Sequence, residues 1–404
     1  MKSLVQPGMF KFALCTMFDP KLAQHVKGTS MRFQSALIAL ALSASVHAQD
    51  LIPNSTFDGE IEIVASGLVH PWSLAFLPDG ELLVTERDGR LRLITDDGLQ
   101  AEPVTGAPEP YVAGQGGMLD VVLHPDFENN AYIYLTYASG NRRANALQIS
   151  RARYADGALS DLETIFTANI TKDTDAHYAG RMSFLPDGTF VVTIGEGFDY
   201  REEAQNPANH FGTIVRLNDD GSIPADNPQI EGGAPGVYSF GHRNAQAILY
   251  DAETDRIIEH EHGPRGGDEI NIIEPGINYG WPIATFGIDY SGAIISPYET
   301  YPGMRDPIVV WTPSIAPAGM TLYRGEMFPE WEGDLLVATL QPGNAATRSG
   351  HIRIVELDEN GLPQGQAAIL GELEARMRDV RTAPDGSLYV LTDAYDGAVL
   401  RLSR

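Results

Sequence analysis

Leu77-Pro78-Asp79-Gly80, followed by Glu81-Leu82-Leu83-Val84-Thr85-Glu86, is the stretch that decides the fold, because it recurs. The same turn and an alternating apolar run stand at residues 185–194 and 383–392. In this turn Pro fixes φ, Asp caps the turn and Gly adopts a positive φ, while the run that follows alternates with the period of a β-strand. Three weaker copies stand at residues 124–136, 250–259 and 328–339, which makes six in all.

Strand-rich units that recur roughly every 60 residues are typical of a β-propeller, in which each sheet buries its faces against its neighbours. The sequence therefore predicts an all-β fold, one six-bladed β-propeller over residues 49–404. Residues 61–64 are predicted to pair into the last blade and close the ring. The alternative is a β-sandwich with chance Pro-Asp-Gly turns.

Composition narrows the possible partners. The 404 residues include 28 Lys or Arg and 54 Asp or Glu, a net charge of −26. Such a chain repels phosphates, so neither nucleic acid nor an anionic membrane surface is expected as a partner. A hydrophobic fraction of 43% with 20% charged residues is that of a globular protein.

The first 48 residues are predicted to be a leader. Met31-Arg32-Phe33-Gln34, an apolar run over residues 35–46 and a small-residue cleavage site after Ala48 form a signal-peptide pattern, and residues 1–30 indicate an over-called start. We expect a periplasmic or secreted protein with no membrane span. The sole cysteine, Cys15, lies in this leader, which excludes disulfides, thiolate metal ligands and a Cys nucleophile from the mature chain.

Three loops are polar and Gly-rich, as expected where propeller loops meet at the mouth of the channel: residues 114–120, 177–182 and 241–246. Gln115 can hydrogen-bond a ligand in the first, although a plain turn explains it equally well. His177 stands in the second, where a lone His is more often structural than catalytic. Arg243 in the third can contact a carboxylate or polarise a carbonyl.

A fourth stretch, residues 259–269, is dense in charge and followed by Asn278-Tyr279-Gly280-Trp281-Pro282. Adjacent carboxylates at Asp268 and Glu269, with glycine carbonyls nearby, favour Ca²⁺ over Zn²⁺, for which a third nitrogen or thiolate ligand is missing. Near the C-terminus Arg376 and Arg378 share one face of an extended segment, which fits a small ligand with several anionic groups or, equally, salt bridges at the rim.

Taken together, these motifs resemble the soluble sugar dehydrogenases that use pyrroloquinoline quinone (PQQ), especially the bacterial periplasmic aldose sugar dehydrogenases, which are six-bladed propellers. The resemblance extends over roughly residues 60–403 and rests on these motifs: His70-Pro-Trp-Ser-Leu74, Gln115-Gly-Gly-Met-Leu119, Gly241-His-Arg-Asn244, Glu261-His-Gly-Pro264, Gly267-Asp-Glu-Ile-Asn271, Asn278-Tyr-Gly-Trp-Pro282, Trp311-Thr-Pro-Ser-Ile-Ala-Pro317 and Arg376-Met-Arg-Asp-Val380.

The resemblance implies roles at the sugar and the quinone. His177 matches the general base that takes the anomeric hydroxyl proton, and the same carbon gives hydride to PQQ. Arg243 and Asn244 match residues beside the quinone oxygens. Gln115 matches a contact of the substrate or quinone, and Trp311 matches an aromatic wall for the sugar ring.

The resemblance also implies ligands for the ions and for the cofactor carboxylates. Gly263 and Pro264 match backbone-carbonyl ligands of the Ca²⁺ that holds PQQ. A second Ca²⁺ site that braces the loop is matched by Asp268, Glu269 and Tyr279. Arg376 and Arg378 match the residues that grip the carboxylates of PQQ, and Asp393 matches another polar group on the cofactor side.

Two positions depart from the best-known members of this family. Ala176 stands where soluble glucose dehydrogenase has an Asp that orients the base, with Asp173 and Asp175 as possible replacements. Gln341 stands where a Lys contact to the cofactor is expected.

The predicted function is oxidation of an aldose at its anomeric carbon to the aldonolactone by a PQQ- and Ca²⁺-dependent enzyme. Electrons are expected to pass to an external quinone, cytochrome or dye, and the protein is expected to be a monomer or homodimer. The alternatives are a Ca²⁺-dependent propeller lactonase and a PQQ- or sugar-binding propeller with little or no turnover.

Overall fold

The protein is a six-bladed β-propeller, as the repeated turn predicts. A computed structural model describes residues 51–404, which form six sheets built on four antiparallel strands each. The predicted leader lies outside the described residues. Within residues 51–404 no helix is both long and apolar enough to cross a membrane.

The first three blades follow two short leading strands, β1 (Asn54–Ser55) and β2 (Glu60–Leu68). Blade one has β3 (Pro71–Phe76), β4 (Leu82–Glu86), β5 (Leu91–Thr95) and β6 (Gly98–Leu99). Blade two has β7 (Met118–Leu123), β8 (Tyr132–Asn141), β9 (Ala144–Ala155) and β10 (Ala158–Thr167). Blade three has β11 (Ala179–Phe184), β12 (Phe190–Ile194), β13 (Thr213–Leu217) and β14 (Val237–Phe240).

Blade four has β15 (Ala245–Asp251), β16 (Arg256–Glu261), β17 (Asp268–Ile273) and β18 (Val309–Trp311). Blade five has β19 (Pro317–Leu322), β20 (Leu335–Thr339), β21 (Ile352–Leu357) and β22 (Pro363–Ile369), and blade six has β23 (Met377–Thr382), β24 (Leu388–Thr392) and β25 (Gly397–Ser403). One short α-helix (Phe127–Asn130) and three 3₁₀ turns (Arg201–Gln205, Pro329–Trp331 and Gly371–Leu373) complete the described elements.

Each of the six predicted strands is the second strand of a blade, β4, β8, β12, β16, β20 and β24. The turn before it has the predicted chemistry. In the copy before β12, Asp187 accepts hydrogen bonds from the amide and hydroxyl of Thr189, and Gly188 has a φ of 82°. Only Gly adopts that φ without strain, so Gly188 permits the tight turn that joins the inner strand of the blade to the second strand.

The ring closes between the two ends of the described chain. Strand β2 pairs antiparallel with β25, so that it becomes the outer strand of blade six, and Ile61 lies opposite Leu402. The predicted pairing of residues 61–64 with the last blade is confirmed. Strand β1 also extends a sheet, lying parallel to β22 at the outer edge of blade five.

The hydrophobic core consists of layers between neighbouring blades. Between blades five and six, for example, Leu336 and Ile354 pack in one buried cluster with Val380 and Val390. Full burial of each such side chain contributes about 1.5–3 kcal/mol. The layers hold the inner strands rigidly around the axis, which is where the functional loops start.

One buried arginine connects the inner strands. The Arg181 guanidinium on β11 lies 3.4 Å from Asp120 of β7 and 3.4 Å from Asp379 of β23. It also donates to the carbonyl oxygens of Trp72 on β3 and Gln246 on β15, at 3.3 and 3.0 Å. Five of the six blades are therefore joined at one side chain, which is 2% exposed.

Candidate active site

A cavity of about 890 Å³ opens above this arginine, and loops from all six blades line it. Trp72 and Gln246, which contact Arg181, form part of its lining. Seven of the predicted site residues line it, Gln115, Asn244, Gly263, Pro264, Arg376, Arg378 and Asp393, whereas His177 and Arg243 are not among its lining residues. They come from blades two, four and six, so the fold brings together side chains that are far apart in the sequence.

We call the first part of the lining the arginine end: His70, Arg376, Arg378 and Asp393. The Asp393 carboxylate receives Arg378 Nη2 at 2.7 Å and Arg376 Nη2 at 3.2 Å, and its other oxygen lies 2.8 Å from His70 Nδ1. Burial alone would raise the pKa of Asp393, but the charge of Arg378, the hydrogen bond to His70 and the charge of Arg376 hold it well below its usual range. Asp393 is therefore ionised at neutral pH.

The charge of the cavity lining is opposite to that of the whole chain. Four arginines line the cavity (Arg87, Arg265, Arg376 and Arg378), whereas Asp393 is the one carboxylate among its lining residues in the described part of the chain. The Nε of Arg378 is buried and has no hydrogen-bond partner within residues 51–404. Concentrated guanidinium charge in a chain of net charge −26 indicates an anionic ligand.

We call the region beside the cavity the histidine end: Gln115, which lines the cavity, with His177, Glu196 and Arg243, which do not. His177 is 3% exposed and has a left-handed backbone with a φ of 50°. Its amide donates to Gln115 Oε1 at 2.8 Å, and its Nδ1 lies 3.1 Å from Glu196 Oε1. Burial lowers the pKa of His177 below its ordinary value, although the neighbouring Glu196 opposes the shift. The imidazole is therefore neutral at neutral pH, the state a general base requires.

The histidine end reaches a second pocket of about 210 Å³, which shares Pro264 and Tyr290 with the main cavity. Glu196, Phe198 and Arg243 line this smaller pocket. Phe198 packs edge-on against the His177 ring at 5.1 Å and stacks on Tyr290 at 6.2 Å. His177 thus lies next to an aromatic pair, and the two residues that follow it, Tyr178 and Ala179, line the main cavity.

Arg243 is held by backbone oxygens. Its Nη1 donates to the carbonyls of His262 and Gly263 at 3.0 and 2.7 Å, and its Nε lies 3.9 Å from Glu196. The side chain is 4% exposed. The guanidinium therefore connects the base region to the loop at residues 262–266, where Gly263 and Pro264 line the cavity.

The expectation that Asp268 and Glu269 share an ion is wrong for Asp268. Adjacent residues of a strand point to opposite faces, and Asp268 points to the face where its oxygens accept from the amides of Gly263, Ile315 and Ala316 at 2.8–2.9 Å. Ser314 donates a further hydrogen bond at 2.7 Å. Asp268 therefore braces the loop directly through four hydrogen bonds.

The opposite face of this sheet is acidic. Glu259, Glu261 and Glu269 lie there, with Glu261 paired opposite Glu269 in register. Burial raises the pKa of each of them; the charge of Glu261 adds to the shift at Glu259 and Glu269, and the charge of Glu196 adds to the shift at Glu261. Ligand atoms of His242, Glu259 and Glu261 lie within 4.8 Å of one another, and Glu269 and Tyr279 line a void of about 10 Å³ beside Glu261. This arrangement of buried carboxylates suits a cation.

Trp311 does not form a wall of the cavity. It is 1% exposed, packs in the core between blades four and five, and donates its indole N–H to Gln366 at 2.8 Å. A side chain so buried cannot stack on a sugar, so the prediction for Trp311 is wrong. Phe286 and Tyr290 are the aromatic residues that line the cavity from the nearby loop.

The sequence does not predict two residues of the site, Glu196 and His70. Glu196 faces the base instead of Asp173 or Asp175; Asp173 accepts a hydrogen bond from the Tyr200 hydroxyl at 2.8 Å. The signal that was available is a carboxylate between Gly195 and Gly197 directly after a buried strand. His70 begins one of the motifs that carry the resemblance, and its left-handed φ of 47° is typical of a functional position.

Comparison with known proteins identifies a matching family and several similar relatives. The sequence model described as Glucose / Sorbosone dehydrogenase matches residues 68–401. The chain is 39% identical over 352 residues to the aldose sugar dehydrogenase YliI of Escherichia coli, covering 85% of this chain and 92% of that one.

Two solved structures are similar over the propeller. A crystal structure of glucose dehydrogenase superposes with a TM-score of 0.81 at 38% identity, covering 85% of this chain and 99% of that chain. The PQQ-bound form of aldose sugar dehydrogenase from Streptomyces coelicolor does so with a TM-score of 0.69 at 28% identity, covering 85% and 98%. The chain therefore belongs to the glucose/sorbosone dehydrogenase family.

Proposed function

We propose that this protein oxidises aldose sugars at the anomeric carbon to aldonolactones, with PQQ as cofactor and Ca²⁺ as its metal. One observation carries the proposal: a cavity with an arginine end suited to a multiply anionic cofactor adjoins a neutral, buried base, since Gln115 lines the cavity and accepts the hydrogen bond of the His177 amide. The relative from Streptomyces coelicolor that was solved with PQQ supports the choice of anion.

The residues present fit PQQ. Arg376 and Arg378 share one carboxylate, Asp393, so the arginine end retains positive charge for the ligand. The unpartnered Nε of Arg378 is a buried donor that awaits an acceptor. Arg376 and Arg378 would hold the carboxylates, and Asn244 would lie beside the rings, since it also lines the cavity.

The loop at residues 262–266 fits a hard cation. Gly263 and Pro264 line the cavity, and a side chain at position 263 would collide with the backbone of Gly266 and Gly267 at 2.3 Å. Backbone carbonyls held this rigidly are suitable Ca²⁺ ligands. We place a second, bracing cation at Glu269, with Tyr279 and Glu261 beside it and without Asp268.

His177 acts as the general base on the anomeric hydroxyl. A proton on Nδ1, which faces Glu196, leaves Nε2 as the basic nitrogen. Gln115 fixes the His177 backbone, and Arg243 supplies positive charge beside Glu196. PQQ, when bound, supplies the acceptor for the hydride that leaves the same carbon.

The proposal also includes export of the protein and reoxidation of its cofactor. The signal-peptide pattern that starts at Met31 supports a periplasmic or secreted enzyme whose mature chain begins after Ala48. An external acceptor, such as a quinone, a cytochrome or a dye, then reoxidises the cofactor.

The test is dye-linked oxidation of a panel of aldoses by the purified protein, with PQQ and Ca²⁺ supplied separately and together. We expect turnover only when both are present, and aldonolactone as the product. Lactone hydrolysis with Ca²⁺ alone would instead favour the lactonase. Retention of PQQ absorbance after desalting without turnover on any aldose would favour a binding protein.

A further inference from the structure

Residues 51–404 contain 22 arginines and one lysine, Lys172, and that lysine is buried beside the base. Lys172 is 3% exposed. A lysine is almost never buried without a specific partner, because its ammonium loses its hydration. The cationic side chains elsewhere on this propeller are guanidiniums, so the position of the one ammonium group calls for a reason.

Lys172 is fixed at both ends. Its backbone exchanges two hydrogen bonds of 2.9 Å with Asn145 on β9, which anchors it to blade two. Its Nζ donates to the carbonyl of Ala176 and lies 3.4 Å from the carbonyl of His177. The same Nζ lies 3.5 Å above the ring of Tyr178. The ammonium therefore contacts the residue before the base, the base and the residue after it.

The backbone segment that Lys172 contacts is conformationally strained. His177 and Ala179 have φ values of 50° and 57°, in the left-handed region that costs a non-Gly residue about 1 kcal/mol or more each. Lys172 Nζ is the donor that faces the carbonyls of Ala176 and His177 in this segment. Position 176 is an alanine, which offers the ammonium only its backbone carbonyl.

The charges around Lys172 come from two neighbouring segments. Glu196, which follows β12, and Asp175 on the same loop are the acidic groups that face it, while Arg243 faces Glu196 from the other side. Burial lowers the pKa of Lys172 to about 7, and Glu196 and Asp175 oppose the shift. Below pH 7 the ammonium is charged, and its charge is one of the influences that lower the pKa of His177.

We propose that Lys172 is a positioning residue for the general base: it holds the left-handed loop that presents His177 and places a positive charge beside the His177–Glu196 pair. This inference rests on the proposed role of His177. Glu196 and Lys172 then act in opposite senses, since the carboxylate favours protonation of the imidazole and the ammonium disfavours it.

The experiment compares wild type with Lys172→Met and Lys172→Gln. Met keeps the volume without charge or donor, whereas Gln keeps an N–H donor without charge. One measurement is the acidic limb of the pH profile of kcat/KM with PQQ, Ca²⁺ and an aldose. The other is an NMR titration of His177 in cofactor-free protein, assigned by the signal lost in His177→Asn.

We expect the pKa of His177 and the acidic limb to move upward in both variants, by about half a pH unit or more. We expect kcat/KM to fall about tenfold in Lys172→Met and less in Lys172→Gln, which retains a donor for the carbonyls. Arg353→Met is the matched control. It removes another fully buried cation, on β21 of blade five, and should lower Tm without moving either titration.

An unchanged His177 titration and acidic limb in both Lys172 variants, with a loss of Tm like that of Arg353→Met, would reduce Lys172 to a structural role. If Lys172→Met does not fold, Lys172→Gln decides alone. Wild type that titrates normally but oxidises no aldose would overturn the proposed function, and the NMR comparison would still decide the inference about Lys172.

Discussion

The arginine end and the histidine end of the cavity use charge in different ways. At the arginine end the charges are unbalanced and partly open: Arg376 has 45% of its side chain exposed, and two guanidiniums share one carboxylate. At the histidine end the base and its carboxylate are sealed, with His177 and Glu196 each at most 3% exposed, and only Gln115 of the four residues is exposed. Backbone groups satisfy much of their hydrogen bonding.

The difference corresponds to two tasks. A site that captures an anion needs surplus positive charge that remains unpaired until the ligand arrives. A site that moves a proton needs a fixed geometry and a tuned pKa, which burial and a carboxylate partner provide. Mutations at the arginine end should therefore change affinity for the cofactor, whereas mutations at the histidine end should change turnover.

The largest effect is expected for His177→Asn, which removes the base and keeps a polar side chain of similar shape. We expect kcat to fall about 10³-fold with PQQ affinity unchanged, because the cofactor is held at the other end. Dye-linked turnover and quinone absorbance after desalting measure the two quantities. His124→Asn, in the turn that follows the inner strand β7 of blade two and away from the cavity lining, serves as control; loss of PQQ in His177→Asn would contradict the division of tasks.

Arg378→Leu should have the next largest effect and the opposite character. It removes a buried donor and one of the two charges on Asp393, so PQQ affinity should fall about 30-fold, or about 2 kcal/mol. At saturating PQQ the kcat should stay close to wild type. Fluorescence titration with PQQ and steady-state kinetics give the two numbers, with Arg401→Leu on β25 as control. Unaltered affinity would remove the arginine end from cofactor binding.

Glu196→Gln sharpens the comparison within the histidine end. The carboxylate raises the pKa of His177, so its neutralisation lowers that pKa. Since activity is lost as pH falls through the folded pKa of the base, the acidic limb of kcat/KM should move to lower pH. We expect kcat to fall about tenfold, because Nδ1 loses its anionic partner. A limb that moves to higher pH, as expected for Lys172→Met, would mean that Glu196 has another role.

Gln341→Lys is expected to have the smallest effect, and it is a gain. Gln341 is exposed and lines the cavity, and the family pattern predicts a Lys at this position. An added exposed charge is worth up to about 1 kcal/mol, so PQQ should bind about fivefold more tightly with kcat unchanged. The PQQ titration that serves Arg378→Leu measures it. Weaker binding would show that the arginine end already has enough charge.

Local sequence chemistry was sufficient for the fold. The Pro-Asp-Gly turn specifies its own hydrogen bonds, as Asp187 and Gly188 show, and the strand that follows each copy is the second strand of a blade. The ring closure by Ile61 follows from the strand count. The turns and their strands depend on residues within a few positions of one another, so a single sequence is enough to predict them, whereas the closure pairs Ile61 with the distant Leu402.

The site was predicted less completely, because its contacts join distant residues. Motif order located the arginine end and His177. It could not show that Glu196, which lies on the next loop, replaces an Asp beside the base. Nor could it show that Trp311 faces the core and that Asp268 points away from Glu269, since strand direction and facing depend on register.

Lys172 has one further consequence, for measuring motion. A lysine-specific endoprotease has a single target bond within residues 51–404, after Lys172, and in the closed propeller that side chain is buried. Cleavage there requires the loop to open, and when opening is fast relative to cleavage its rate reports the population of the open form. The rate at which two fragments appear would thus measure the population in which the segment that carries the base is open, without a label.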